Sequence, residues 1–320
     1  MCYSAQIKQL ARRLVREFGV YLDYEAAERI FLRRLDDPSV VISRGFEANF
    51  YDPHNATEAR ILDLILEHRK RTASTLEADL FKQKTRLTVA DRKLAEALAN
   101  GNTRVKSMQE EKRKATNNIA SLTRRLGTLH SNEWQAGDDR IFAKHFAGVI
   151  VRKDGRNVLT PMRYLCRPAG MPASFDKTHE GAYNARRDNI ERFWTRQFGA
   201  THALAVFDSF FENVQREVAP GGPTKNAVLH FVPTPPLPML IACIHSHWSG
   251  PGEPDLDSWA LITDEPPPEI AAAGHDRCPI NLKPENAEEW LTPQGRTRAR
   301  LQAILDDRQR PYYAHEVLAA

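Results

Sequence analysis

A continuous stretch of 80 residues without proline, from about Asn55 to Trp134, constrains the fold of this chain more than any other feature. It is rich in Ala, Leu, Lys, Arg and Glu, which are strong helix formers. Asn100-Gly101-Asn102 interrupts it with residues that break helices. The simplest structure is therefore a pair of long helices that pack as an antiparallel hairpin over about residues 55–134.

Each arm of this expected hairpin carries an apolar stripe at helical spacing on a strongly charged background. The stripes comprise Leu62, Ile65, Leu76, Leu80, Leu87, Leu94 and Leu98 in the first arm, and Val105, Met108, Ile119, Leu122, Leu126 and Leu129 in the second. Such stripes most often mean that two helices pack together. The stripes are also compatible with binding of a protein partner, self-association or an extended DNA groove. The charged residues of the two arms most often form a face exposed to solvent.

The flanking sequences differ in character from the hairpin. Between about Ala5 and Leu35 apolar residues recur at helical spacing, which predicts two amphipathic helices, the second with Asp23 as N-cap. After Gln135 the chain shows short β-branched or aromatic runs separated by Pro and Gly, and Asp154-Gly155 predicts a hairpin turn. Strands are expected at about 148–151, 157–159, 201–211, 227–232, 239–248 and 258–263. The predicted fold class is α+β.

Composition excludes several classes of protein. No run of 18 apolar residues and no apolar leader is present, so we expect a cytoplasmic protein without a membrane partner. The net charge of +4 is compatible with nucleic-acid binding but does not demonstrate it. The four cysteines, Cys2, Cys166, Cys243 and Cys278, lack CxxC spacing, which predicts free thiols, and His245 with His247 lacks a third ligand. We expect no metal and no cofactor.

Cys2 directly follows the initiator methionine. Removal of Met1, which a small second residue permits, leaves an amine and a thiol on adjacent carbon atoms of Cys2. Such a 1,2-aminothiol condenses with an aldehyde to an imine, which the thiol then closes into a thiazolidine. A cysteine can also occupy position 2 by chance, so the chemistry depends on residues further along the chain.

Three polar clusters lie in the second half. Asn184 and Arg186 could cap a helix or point into a cleft, and Glu212 ends an aromatic run where partial burial would suit it to proton transfer. His275 and Arg277 offer an imidazole for proton shuttling and a guanidinium for phosphate contact. Each cluster alone is a weak signal.

Taken in order, the motifs resemble the SOS response-associated peptidase (SRAP) family of abasic-site processing proteins. They are the N-terminal Cys2, Asn-Ala-Arg at 184–186, Asp-x-aromatic-aromatic-Glu at 208–212 and His-Asp-Arg-x-Pro at 275–279. Pro161-Met162-Arg163-Tyr164-Leu165 is similar to the family's Arg-Trp-Gly-Leu segment, whereas Tyr3-Ser4 departs from its usual Gly-Arg. The resemblance covers about residues 1–4 and 140–300.

The resemblance implies a compact β-rich SRAP-like fold of residues 1–20 and 139–320, into which residues 21–138 are inserted. It implies binding of single-stranded DNA at abasic sites, in the cytoplasm and at the nucleoid, and a thiazolidine crosslink to Cys2 that protects the lesion. By the family pattern Asn184 orients the amine or the sugar, Glu212 and His275 move protons, and Arg186 and Arg277 hold phosphates. Arg163 and Tyr164 are expected on the DNA, the latter by stacking.

Two other functions remain open from the sequence. One is a cysteine peptidase or autopeptidase with Cys2 as its N-terminal nucleophile, acting on Met1 or on other peptides. The other is a non-catalytic interaction protein built around the helical hairpin. The free amine of Cys2 distinguishes the first from the aminothiol chemistry, because a peptidase needs only the thiol.

Overall fold

A computed structural model of the chain describes residues 4–7, 14, 18–101, 105–131, 133–135, 137–217, 222 and 224–318. Its helices are α1 (Tyr24–Asp36), α2 (Arg44–Glu47), α3 (Ala56–Ala99), α4 (Lys106–His130), α5 (Phe175–Thr178), α6 (Ile190–Phe193), α7 (Pro268–Ala272), α8 (Ala287–Leu291) and α9 (Arg298–Asp306). Short 3₁₀ helices lie at Ala48–Phe50, Arg187–Asn189 and Pro284–Asn286. Within the described ranges, no helix is long and apolar enough to cross a membrane.

The strands lie mainly in the second half of the chain. They are β1 (Ser4–Gln6), β2 (Tyr21–Leu22), β3 (Arg140–Phe142), β4 (Phe146–Lys153), β5 (Arg156–Tyr164), β6 (Asn184–Arg186), β7 (His202–Phe207), β8 (Ser209–Glu217), β9 (Thr224–Thr234), β10 (Met239–Gly250), β11 (Glu253–Asp264), β12 (Cys278–Pro279), β13 (Asn281–Leu282) and β14 (Tyr312–Leu318). The α+β class and the helical hairpin predicted from the sequence are confirmed.

The strands form two sheets. In the larger sheet β11, β10, β7, β4 and β5 pair in that order, and an additional pairing of β11 with β5 closes them into a ring. The smaller sheet has the order β14-β9-β8-β1-β3. One hydrophobic core joins them, with Phe210 and Phe231 from the smaller sheet and Tyr164 and Trp259 from the larger one. This arrangement brings β8 and its side chains to the middle of the molecule's β-rich part.

Local sequence signals account for several of these boundaries. Asp154 and Gly155 both have positive φ, 49° and 73°, as the predicted turn between β4 and β5 requires. The Asp23 side chain accepts a hydrogen bond from the Ala26 amide and caps α1. The break at 100–102 is also confirmed, since α3 ends at Ala99 and Gly101 has a φ of 66°.

The start of the chain differs from its prediction. A helix was expected from about Ala5, but Ser4–Gln6 form strand β1, which pairs with both β3 and β8. Apolar residues at helical spacing favoured a helix here. The strand forms instead because its backbone hydrogen-bonds to β3 on one side and β8 on the other, which completes the smaller sheet. Most of the remaining predicted helix, at 8–13 and 15–17, lies outside the described residues.

The chain divides into two compact units, one of residues 1–59 and 136–320 and one of residues 60–135. Residues 21–59, expected in the insertion, belong to the first unit. Phe31 of α1 stacks on Phe46 and makes an edge-to-face contact with Phe50, and the Arg34 guanidinium forms a buried ion pair with Glu47. All of these contacts are made within the first unit.

The second unit is the helical hairpin. Helix α3 has 44 residues and α4 has 25, and they run antiparallel. Arg86 pairs with Glu111 at 3.2 Å and Lys112 with Asp91 at 2.8 Å, between exposed side chains. Such exposed pairs contribute little to stability, so the buried residues of the stripes hold the hairpin together.

Candidate functional site

Glu212 lies on the core face of strand β8. Because side chains alternate along a strand, it points to the same side as Phe210 and Val214. All three are buried, and Glu212 has no exposed surface. A carboxylate among apolar side chains is costly unless a charged or hydrogen-bonding group satisfies it, so this position needs a polar partner.

His275 supplies that partner. Its Nε2 lies 3.0 Å from Glu212 Oε2, and both side chains are almost excluded from solvent, with exposures of 6% and 0%. The other ring nitrogen, Nδ1, lies 2.9 Å from the Arg277 carbonyl oxygen. His275 follows Gly274, whose φ of 93° suits glycine, at the end of the turn that leaves α7. The contacts of its two ring nitrogens thus fix the orientation of the imidazole.

The Glu212–His275 contact has the geometry of a shared proton. An imidazole nitrogen and a carboxylate oxygen 3.0 Å apart repel each other unless one of them carries a hydrogen. A proton between these two atoms can pass from one to the other with little movement of the heavy atoms. This is the property that general acid–base catalysis requires.

Asn184 lies on strand β6, beside Leu261 of β11, and is only 7% exposed. It is neither a helix cap nor part of a loop. Among the described residues its amide Oδ1 and Nδ2 have no hydrogen-bond partner. The side chain lines a surface pocket of about 250 Å³ together with Arg186. An unsatisfied buried amide beside a pocket suits a ligand that carries its own donors and acceptors.

Arg186 and Arg277 share one carboxylate. Asp188 Oδ2 lies 2.9 Å from Arg186 Nη2 and 3.1 Å from Arg277 Nη2. Arg186 and Asp188 are half exposed, whereas the Arg277 side chain is 11% exposed. This arginine cluster is linked to the Glu212–His275 pair, because His275 Nδ1 contacts the backbone carbonyl oxygen of Arg277. A connected series of contacts therefore runs from Glu212 to the pocket.

Two predicted DNA-binding residues lie elsewhere. Tyr164 has no exposed surface and stacks on Trp259 at 4.5 Å between ring centroids. A fully buried ring has no face free to stack on a base, so the structure is incompatible with that role. Arg163 binds both oxygens of Asp176, at 2.6 and 3.1 Å. Its guanidinium serves an internal ion pair and not a surface for phosphate.

The Asp176 carboxylate also binds Arg167, at 3.1 and 2.5 Å. Burial by itself raises the pKa of Asp176, but the hydrogen bonds from Arg167 and Arg163 outweigh it and leave the pKa below its ordinary value. A carboxyl whose pKa is lowered by folding stabilises the protein at pH values above the unfolded-state pKa. That stabilisation is lost as the pH falls through the folded-state pKa.

We expect Asp176→Ala to lower the free energy of unfolding by about 3 kcal/mol, because the largely buried Arg163 guanidinium loses its carboxylate partner and that of Arg167 keeps only Glu253. The loss is full at neutral pH and shrinks below roughly pH 4, where the carboxyl becomes protonated first in the unfolded state and, at lower pH, in the folded state. Denaturant unfolding at neutral pH and in this acidic range measures it. Asp276→Ala is the matched control, since Asp276 is 77% exposed and 3.9 Å from Arg277. Equal losses in the two variants would contradict the expectation.

Cys2 lies outside the described residues, and the other three cysteines are free and buried. Burial raises the pKa of the Cys166 thiol to about 12 and raises those of Cys243 and Cys278 as well. Such thiols are poor nucleophiles, because the thiolate is the reactive form. Among all four cysteines, the first one therefore remains as the candidate for nucleophilic chemistry.

One residue of the site has no signal in the sequence pattern. Asp188 stands inside the stretch that resembles the family motif, but its sharing between two arginines follows only from the fold. Arg140 lies on the other face of β8 from Glu212: its Nε donates to Ser4 Oγ at 2.8 Å, and its guanidinium lies 3.7 Å from the Phe211 ring centroid. In the described part of the chain, no group of three or more His, Cys, Asp or Glu residues suits a metal ion.

Several solved structures are similar to the chain. A protein from Bacteroides thetaiotaomicron is 16% identical, with a TM-score of 0.47, and the alignment covers 57% of this chain and 78% of that one. A protein from Bordetella bronchiseptica is 18% identical, with a TM-score of 0.44 and coverages of 59% and 90%. A phage-related protein from the same organism is 20% identical, with a TM-score of 0.43 and coverages of 60% and 86%.

No curated protein matches the chain. A family model does: that of the SOS response associated peptidase, SRAP, matches residues 83–319. The matched range contains the Asn184, Glu212 and His275 clusters and part of the helical hairpin, and Cys2 precedes it. Since the model covers well over half of the sequence, the chain belongs to the SRAP family.

Proposed function

We propose that this protein binds abasic sites in single-stranded DNA and links itself to them through Cys2. Membership of the SRAP family supports a DNA-related function associated with the SOS response. The observation that carries the finer proposal is the buried contact of 3.0 Å between Glu212 Oε2 and His275 Nε2. The proposed setting is the nucleoid in the cytoplasm, with the crosslink protecting the lesion from strand cleavage.

Chain geometry supports a place for Cys2 near this pair. Ser4 pairs with Phe211, the residue before Glu212 on β8. Cys2 precedes Ser4 by two residues, and two residues span at most about 7 Å. Chain connectivity thus limits Cys2 to about 7 Å from Ser4, whose strand adjoins the one carrying Glu212.

The proposed reaction balances as a condensation. The opened abasic sugar presents an aldehyde, and the Cys2 amine adds to its carbon to give a carbinolamine, which loses one water to form an imine. The Cys2 thiol then adds to the imine carbon, and its proton passes to nitrogen, which closes the thiazolidine ring. No oxidant or further reactant is consumed.

Each proton in this sequence has a candidate donor or acceptor. Ring opening of the sugar needs a proton on the ring oxygen, and loss of water from the carbinolamine needs one on the departing hydroxyl. The Glu212–His275 pair holds a proton for these steps and can accept the one that the amine releases. Asn184 presents an unpartnered amide to the sugar, and Arg186 and Arg277 bind the flanking phosphates.

The direct test is formation of an adduct. Purified protein with Met1 removed is mixed with single-stranded DNA that contains one abasic site, heated in denaturant and analysed on a gel. We expect a heat-stable adduct of one protein to one strand. An oligonucleotide with tetrahydrofuran at the same position is the control, because it keeps the missing base but has no aldehyde. Absence of an adduct with the true abasic site would refute the proposal.

A further inference from the structure

The pocket beside Asn184 has walls that the proposed crosslinking chemistry does not use. His179, Phe193 and Trp194 are among the residues that line it. Phe193 is an exposed aromatic residue, at 40%. Its ring makes an edge-to-face contact with Trp194, with centroids 5.0 Å apart, and lies 5.8 Å from the His179 ring. The pocket therefore offers an exposed aromatic face that is held in place by its neighbours.

The polar groups of the same pocket point to its ligand. Asn184 is nine-tenths buried, and its amide Oδ1 and Nδ2 both lack a partner among the described residues. Leaving such an amide unsatisfied costs free energy that a bound polar ligand recovers. An amide has two donors and an oxygen with two lone pairs, so Asn184 can bind both the abasic sugar and one further group. Arg186 lines the opening and carries a positive charge, so the pocket combines an aromatic wall, an amide and a guanidinium.

The size of the pocket limits the ligand to one small group. Its volume of about 250 Å³ is below the roughly 300–1,000 Å³ of pockets that bury drug-sized ligands. A planar ring with donors and acceptors on its edge, attached to a phosphate, matches all three features. Unpaired nucleobases stack on aromatic side chains in proteins that bind single strands, and arginine is the usual partner of a phosphate.

We propose that this pocket binds the unpaired nucleobase of a nucleotide adjoining the abasic site, which stacks on Phe193 while Arg186 holds the intervening phosphate. The inference rests on the proposed function and adds a subsite to it. The protein thereby recognises a lesion by two features at once, a sugar without a base and a neighbouring base that is free to leave the stack. Stacking tolerates every base, and purines gain most because their rings are larger.

The test measures non-covalent affinity, so that it does not depend on crosslinking. Fluorescent single strands carry a central tetrahydrofuran, flanked either by adenines or by one further tetrahydrofuran on the 5′ or the 3′ side. For wild-type protein we expect loss of one flanking base, on one side only, to weaken binding between about 5-fold and about 100-fold. For Phe193→Ala the same loss should have almost no effect, because the stacking face is already absent.

Two further variants test whether the effect comes from the aromatic ring of Phe193. Phe193→Leu keeps the apolar bulk against Trp194 but removes the aromatic face, so it should behave as Phe193→Ala does. Tyr312→Ala removes another exposed ring, which is 60% exposed on β14, and should leave the wild-type difference intact. Wild-type protein that binds all strands equally, or variants that keep the full difference, would overturn the subsite while leaving the proposed function in place. Failure of wild-type protein to bind any strand would refute the proposed function itself.

Discussion

Replacement of Cys2 by serine is expected to abolish the heat-stable adduct with abasic DNA. The amine of serine still forms an imine, but an oxygen analogue of the thiazolidine ring opens readily and does not survive denaturation. Because the three other thiols are buried and have raised pKa values, none of them can replace Cys2. Adduct yield on a denaturing gel measures the effect, and Cys243→Ala is the matched control that should keep the adduct.

A second version of this experiment separates crosslinking from peptidase activity. A chain in which one glycine precedes Cys2 after removal of Met1 keeps the thiol but converts the Cys2 amine into an amide. We expect no heat-stable adduct from this chain, since the Cys2 amide nitrogen does not form an imine, and an imine of the glycine amine has no neighbouring thiol that closes it into a thiazolidine. A cysteine peptidase that needs only the thiol would retain its activity on peptides. An adduct of undiminished yield from the extended chain would contradict the aminothiol mechanism.

The second large effect is expected for Glu212→Gln. Glutamine keeps the shape of the side chain and can donate a hydrogen bond to His275 Nε2, but it cannot exchange a proton at neutral pH. We expect adduct formation to slow by about 10²–10⁴-fold, the range typical of general acid–base catalysis. Affinity for an unreactive tetrahydrofuran strand should change little, so the loss appears in the rate of reaction and not in binding. The pH dependence of the rate should flatten as well.

The chain contains its own control for this substitution. Glu316 also faces a histidine, with Oε1 3.1 Å from His230 Nδ1, but its side chain is 69% exposed. Glu316→Gln changes the charge and breaks a His–Glu contact without touching the buried pair. Its rate of adduct formation should equal that of the wild-type protein. Glu212→Gln protein that is folded and reacts at the wild-type rate would remove the acid–base role.

Sequence reasoning succeeded where a signal is local. The helical hairpin follows from 80 residues without proline, its end from Gly101, and the β4–β5 turn from Asp154-Gly155. These features depend on backbone preferences of a few neighbouring residues, which the sequence states directly. The motif positions at 184, 212 and 275 were found instead through their resemblance to the family's motifs, and their roles are still proposals.

The other features of the fold and the site depend on which strands pair in the folded protein. Tyr164 and Arg163 belong to a motif-like segment, yet the parallel pairing of β5 with β11 sets Tyr164 beside Trp259 and buries it. Strand β1 is a further case, since its place between β3 and β8 is fixed by residues more than 130 positions away. No pattern within either segment records which strand will lie next to it. The sequence therefore identified residues but not the surroundings that determine what they can do.

The Asp188 carboxylate has a consequence for how binding should respond to salt. Arginines that neutralise DNA phosphates release cations condensed on the DNA, and this release makes affinity fall steeply with salt. Here Asp188 lies between Arg186 and Arg277, so the three side chains together carry one net positive charge. The cluster therefore neutralises less phosphate charge than two unpaired arginines would. These two arginines should then add less to the salt slope of DNA binding than their number suggests.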